Sequence, residues 1–148
     1  MKLQEKLKIK GHVAITVYDR NGNLKDARSI PNLVVTVGKE YIASRMVGVA
    51  DDVMSHMGIG TGTGTPDPTD TALGTPSGSR VTLDSFSASG NQVTATATFP
   101  SGTGTGAITE AGIFNDSTAG TMLCRTTFPV VTKGAGDSIA ITWTVTVS

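Results

Sequence analysis

The amino-acid sequence predicts a mainly β protein: an antiparallel β-sandwich, jelly-roll-like, with one early α-helix. Three observations carry this expectation. Glycine and threonine supply 18 and 23 of the 148 residues, while charged residues are only 16%. That composition suits strands and tight turns, because threonine is stiff at its branched β-carbon and glycine reaches positive φ without steric cost. Seven or eight short segments alternate apolar and polar residues, the period of a strand with one buried face. Clusters of glycine, serine, asparagine and proline separate these segments at the spacing of sandwiches and barrels.

From His12, the residues Val13, Ile15 and Val17 alternate with Ala14, Thr16 and Tyr18. Asn21-Gly22 then offers a pair suited to positive φ, so a hairpin should return through Leu24 and Ile30. After Pro31 and Asn32-Leu33-Val34-Val35, Thr36 is placed to cap a helix from about Val37 to Val47, with Gly48 to end it. Val37, Tyr41 and Ile42 share one face of that helix and Met46 extends it, leaving Lys39, Glu40 and Arg45 wet. Val53, Met54, Met57 and Ile59 form a short strand. It runs into Gly60-Thr61-Gly62-Thr63-Gly64-Thr65 and the turn-rich stretch Pro66, Asp67, Pro68, Asp70, which reads as a long surface loop.

The second half is almost entirely strand pattern. Val81, Leu83 and Phe86 should pair across Ser89-Gly90-Asn91 with a strand whose Val93, Ala95, Ala97 and Phe99 share one face. Ala107 to Phe114 and Met122 to Phe128 form a second candidate pair around the turn 115–120. The last strand has Ile139, Ile141, Trp143, Val145 and Val147 on one face and Thr142, Thr144 and Thr146 on the other, so one face must be buried. Two segments are expected: residues 1–30 as a basic arm and hairpin, an assembly contact, and residues 31–148 as the β-sandwich domain.

Bulk properties narrow the function. A chain of this length is one domain, burying roughly two-thirds of its unfolded surface. Twelve basic residues balance twelve acidic ones, so no global field draws it to nucleic acid or an anionic membrane. The sequence has no apolar run long enough to span a bilayer, and its first residues lack the apolar stretch of a secretion signal. Neither a nucleic-acid nor a membrane partner is expected. A single cysteine and two histidines argue against a disulfide framework or a cysteine-histidine zinc site.

The glycine-threonine runs 58–64 and 102–106 could cradle an anion through backbone amides, but neither has the Gly-Lys-Ser/Thr ending or the G-x-G-x-x-G spacing of a nucleotide loop. They read instead as tight turns, or as places where subunits approach backbone to backbone around a symmetry axis. His56 follows Asp51 and Asp52 closely, yet no serine sits in a G-x-S-x-G elbow, and both His12 and His56 read as polar contacts or exposed side chains. Asp67 and Asp70 lack the further ligands of a calcium loop and suit turn and cap duties. No catalytic residue, metal or cofactor is expected. Cys124 reads as a small core residue.

Glu110 stands out in the apolar run Ala107, Ile108, Ala111, Ile113, Phe114. A buried carboxylate needs a partner, so it should pair structurally with Arg125 or bond backbone amides of the long loop. Lys2, Lys6, Lys8 and Lys10 against Glu5 make a basic arm, either a solvated terminus or a contact with an acidic neighbour.

The order of several segments over residues 30–148 resembles a known group. They are Asn32-Leu33-Val34-Val35-Thr36-Val37-Gly38-Lys39-Glu40-Tyr41-Ile42-Ala43, Met57-Gly58-Ile59-Gly60-Thr61-Gly62, Asp70-Thr71-Ala72-Leu73, Ile108-Thr109-Glu110-Ala111-Gly112-Ile113-Phe114-Asn115, Met122-Leu123-Cys124-Arg125-Thr126-Thr127-Phe128 and Ile139-Ala140-Ile141-Thr142-Trp143-Thr144-Val145. Together they resemble small structural proteins of tailed bacteriophages: capsid decoration or cement proteins, head fibres, and tail-fibre or collar domains. The resemblance implies a virion protein made in the host cytoplasm, without catalysis. A decoration protein fits best, a homotrimer binding the major capsid protein on the outer head surface, with Lys2, Lys6, Lys8 and Lys10 as capsid contacts. The alternatives are a tail-fibre or collar adhesin, and a small carbohydrate-binding or hydrolytic β domain, for which Tyr18 and Tyr41 would be the aromatic candidates.

Overall fold

Nine strands and one helix form among residues 3–49 and 51–148, the residues that the computed structural model describes. In chain order they are β1 (Ile9–Tyr18), β2 (Leu24–Val34), α1 (Thr36–Met46), β3 (His56–Gly60), β4 (Val81–Thr82), β5 (Ser85–Ser89), β6 (Gln92–Phe99), β7 (Gly106–Phe114), β8 (Met122–Lys133) and β9 (Ser138–Val147). All pairings are antiparallel, in the order β4-β3-β7-β8-β2-β1-β9-β6-β5, and the sheet curls into a half-barrel. The protein is therefore mainly β with one short helix, as the composition predicts, and the strands outnumber the seven or eight expected.

Alternation builds the larger wing of the sheet, β2-β1-β9-β6-β5, which joins the smaller wing, β4-β3-β7-β8, where β2 pairs with β8. Val13, Ile15 and Val17 of β1, Ala95, Ala97 and Phe99 of β6, and Ile139, Ile141 and Trp143 of β9 are all 1% exposed or less. They enter one core cluster with Met57 and Ile59 of β3 and Ile108 and Ile113 of β7. Full burial of a large aliphatic or aromatic side chain contributes about 1.5–3 kcal/mol, and the shared cluster joins both wings. The first hairpin, which belongs to the segment 1–30 expected as a basic arm and hairpin, lies in the middle of the sheet, with β1 paired to β2 on one side and to β9 on the other.

The hairpin's turn differs from expectation. Of Asn21-Gly22 only Gly22 takes positive φ, at 79°. The connection is longer, with the Asp19 carboxylate accepting from the amides of Asn21 and Asn23 at 2.8 and 3.0 Å. Strand β2 pairs with β1 as far as Asn32, then with β8 at Leu33 and Val34. Pro31 sits just before that change of partner, where the missing N–H interrupts the ladder least. The Pro31 carbonyl accepts from Thr126 Oγ1 of β8 at 2.8 Å, tying the junction.

The helix also departs from expectation. Val35 occupies the cap position without a side-chain hydrogen bond, and Thr36 is the first helical residue. Its amide donates instead to the Pro68 carbonyl of the long loop at 2.8 Å. Met46, expected on the buried face, is 84% exposed. Gly38 explains the seating: a β-carbon there would overlap the Leu123 carbonyl of β8, so a bare α-carbon lets the helix lie directly on the strand.

Candidate functional site

The long loop 61–80 leaves β3 and returns to β4, folding back over β7 and β8. Its base is closed by main-chain bonds, Thr61 N to Thr75 O at 2.8 Å and Ser77 N to Ile59 O at 2.9 Å. Leu73, 8% exposed, packs with Val35, Phe114 and Met122 in a second small cluster. This covers the outer face of β7, which is buried from Ile108 to Phe114. The cost of burying a strand on both faces is that its polar residue must find partners inside.

Glu110 is that residue, fully buried at 0% exposure, and its carboxylate accepts five hydrogen bonds. Oε1 receives the amides of Gly62 at 3.0 Å and Thr75 at 2.7 Å. Oε2 receives the Gly74 amide at 2.9 Å together with Arg125 Nε at 3.1 Å and Nη2 at 2.8 Å. The pairing with Arg125 and the bonding to loop amides, posed as alternatives from the sequence, occur together. Arg125, also buried, turns its remaining nitrogen outward, Nη1 to Asp70 Oδ2 at 2.8 Å.

Burial alone would raise the Glu110 carboxyl; the loop amides and the guanidinium outweigh it and hold the group below the ordinary carboxylate range. Burial would lower the Arg125 guanidinium, but Glu110 and Asp70 raise it. Chemically this is a staple. A carboxylate with its lone pairs directed at five donors is a poor proton acceptor, and what it does is fix one conformation of the loop.

The glycines are part of that staple. A β-carbon on Gly62 would stand 2.5 Å from Glu110 Oε1, and one on Gly60 would overlap the Thr75 carbonyl. The second glycine-threonine run meets the same loop: a β-carbon on Gly78 would lie 2.8 Å from the Gly104 amide. This close backbone approach lies within one chain, whereas the approach expected of these runs was between subunits. At the loop's end, Arg80 lies 3.5 Å over the Phe114 ring and donates to the Asp116 and Ala119 carbonyls at 2.9 and 2.7 Å. Sequence reasoning missed Gly38, the Gly60 and Gly62 cradle, Asp70 as the third member of the ion pair, and Arg80. Only the glycine spacing gave a signal, and it points equally to turns.

Apart from Asp70, the other candidates sit outside this cluster. Asp67 and Asp70 serve a turn, the Asp67 amide donating to Asp70 Oδ2 and the Thr69 amide to Asp67 Oδ1 at 2.9 and 2.8 Å. His12 Nε2 shares a hydrogen bond with Ser29 Oγ, and His56 Nδ1 with Ser55 Oγ, each at 2.7 Å. Cys124 is buried, and burial pushes its thiol far above the ordinary range. Tyr18 and Tyr41 are both half-buried. Lys6, Lys8 and Lys10 are exposed, and Lys2 lies outside the described residues. Among the described residues no three His, Cys, Asp or Glu side chains converge as a metal site.

Fold and site together define a mainly β protein whose long loop is locked down by a buried ion pair. Comparisons with protein-family models, curated proteins and solved structures return no match to this chain.

Proposed function

We propose that this chain is a bacteriophage virion structural protein of the capsid decoration type. In this reading it binds the major capsid protein on the outer head surface as a homotrimer and stabilises the shell without catalysis. The observation that carries the reading is the stapled loop: the buried Glu110–Arg125 pair is engaged in rigidifying a polar surface rather than facing a cavity. A binding surface ordered beforehand loses less conformational entropy on docking. The order of segments over residues 30–148, which resembles small phage structural proteins, supports the same reading.

Closed three-fold symmetry lets one subunit surface meet three equivalent capsid neighbours, and simultaneous engagement multiplies modest contacts into tight attachment. Lys6, Lys8 and Lys10 are exposed and supply the basic capsid contacts. The two wings of the curled sheet act as the layers of a jelly-roll-like sandwich, stiff enough to transmit restraint between capsid subunits.

The test is addition of purified protein to shells stripped of it. Saturable binding, label distributed over the head in electron microscopy and a higher shell-rupture temperature are expected. Label confined to the tail or collar would replace this reading with the adhesin one. Failure to bind any virion component, or turnover of a small molecule, would end it.

A further inference from the structure

Strand β5 is an outer edge of the sheet, and all five of its residues are exposed. Natural sheets guard such edges with charge, proline, bulges or brevity. The opposite edge, β4, is two residues long. Strand β5 has no such guard: it reads Ser-Phe-Ser-Ala-Ser and pairs with β6 in unbroken register from Ser85 to Ser89. Beside it opens an apolar cavity of about 190 Å³, lined among others by Phe86, Val93, Val147, Ile9 and Tyr41.

The segment 3–8, which leads into β1, carries the complement. Leu3 and Leu7 are 90% and 73% exposed. In an extended strand they fall on one face with Glu5 between them, and Gln4, Lys6 and Lys8 fall on the other. Six extended residues span roughly 20 Å, enough for the roughly 17 Å of a five-residue edge. Charge agrees: residues 1–10 hold four lysines and one glutamate, +3, so with a total of zero residues 11–148 hold −3. Asp84 stands exposed immediately before β5.

The occupant is another molecule. Lys8 is tied to Ser148 by main-chain bonds of 2.6 and 2.8 Å, and β9 and β6 lie between β1 and β5. At about 4.8 Å per strand, the segment would use most of its reach crossing to its own β5. We propose that segment 3–8 of one copy adds to β5 of a second copy as an extra strand, seating Leu3 and Leu7 against Phe86 and the apolar cavity. Lys6 and Lys8 then face outward. Such a contact is heterologous and closes as a ring of three, a stoichiometry that rests on the trimer proposed above.

Two single variants, Leu7→Cys and Ala88→Cys, co-expressed and then oxidised, test the contact. A disulfide between residue 7 of one copy and residue 88 of another is expected, since the bond demands Cα atoms within about 7 Å. Native mass spectrometry should show three copies of the full chain and single copies after removal of residues 3–7. The variant Leu3→Asp with Leu7→Asp, at exposed positions, should also be monomeric with an unchanged melting temperature. A full chain that is monomeric, an assembly that survives both changes, or the absence of a 7–88 disulfide between the two co-expressed variants overturns the proposal. An assembly that survives them and still coats shells leaves the virion reading standing; strand exchange without shell binding does the reverse.

Discussion

Glu110 is the residue on which the most structure depends. Replacing it with glutamine keeps the shape but leaves Arg125, 4% exposed at its side chain, with only Asp70 as a charged partner. Breaking a buried pair from one side costs about 3–5 kcal/mol, so Glu110→Gln should lower urea-unfolding stability by about that amount; an unchanged midpoint would refute the staple. Because the folded carboxyl is held below its unfolded value, unfolded chains bind the proton first as pH falls. The stabilisation is present above about pH 4.3, the unfolded value, and is lost as pH drops toward the folded one. The acid limb of the stability profile should be shallower in Glu110→Gln than in the parent. The pairing with Arg125 was legible because a carboxylate in an apolar run must be neutralised. Asp70 was not, because a turn aspartate looks the same with or without a third partner.

At the scale of elements, β1, β6 and β9 were legible because each has one wet face, which writes a period of two into the sequence. Strands β7 and β8 are covered on both faces over most of their length, so their pattern is a continuous apolar run, and β8 continues beyond Phe128 to Lys133. The helix was found from its spacing, but its seating was not, since a glycine inside a helix carries no sign of what it touches. Gly38→Ala gains about 1 kcal/mol of helix propensity against an overlap with the main chain of β8. Overpacking against a backbone that does not yield costs about 1–3 kcal/mol, so the variant should melt lower than the parent in a thermal scan. A higher melting temperature would mean that the helix is not seated on Leu123.

For the whole molecule, strand order was the illegible quantity. Alternation says which face is buried and is silent about which strand lies alongside. Here β1 pairs with β9 over ten residues, from Ile9 with Val147 to Tyr18 with Ser138, joining segments that the sequence separates most widely. With one core cluster drawing on both wings, neither wing can open without exposing the other. Unfolding should therefore be two-state: the fluorescence of buried Trp143 and far-ultraviolet circular dichroism should give coincident urea transitions, and separated midpoints would show that the wings unfold independently.

The locked loop has a further consequence for resistance to digestion. Between Thr61 and Ser79 the chain has no lysine, arginine or aromatic residue, and its one leucine, Leu73, is buried. Arg80, where a trypsin-like enzyme would cut, is clamped on Phe114. A long irregular segment is ordinarily where digestion begins; this one offers a protease few side chains to recognise and little slack to draw into its cleft.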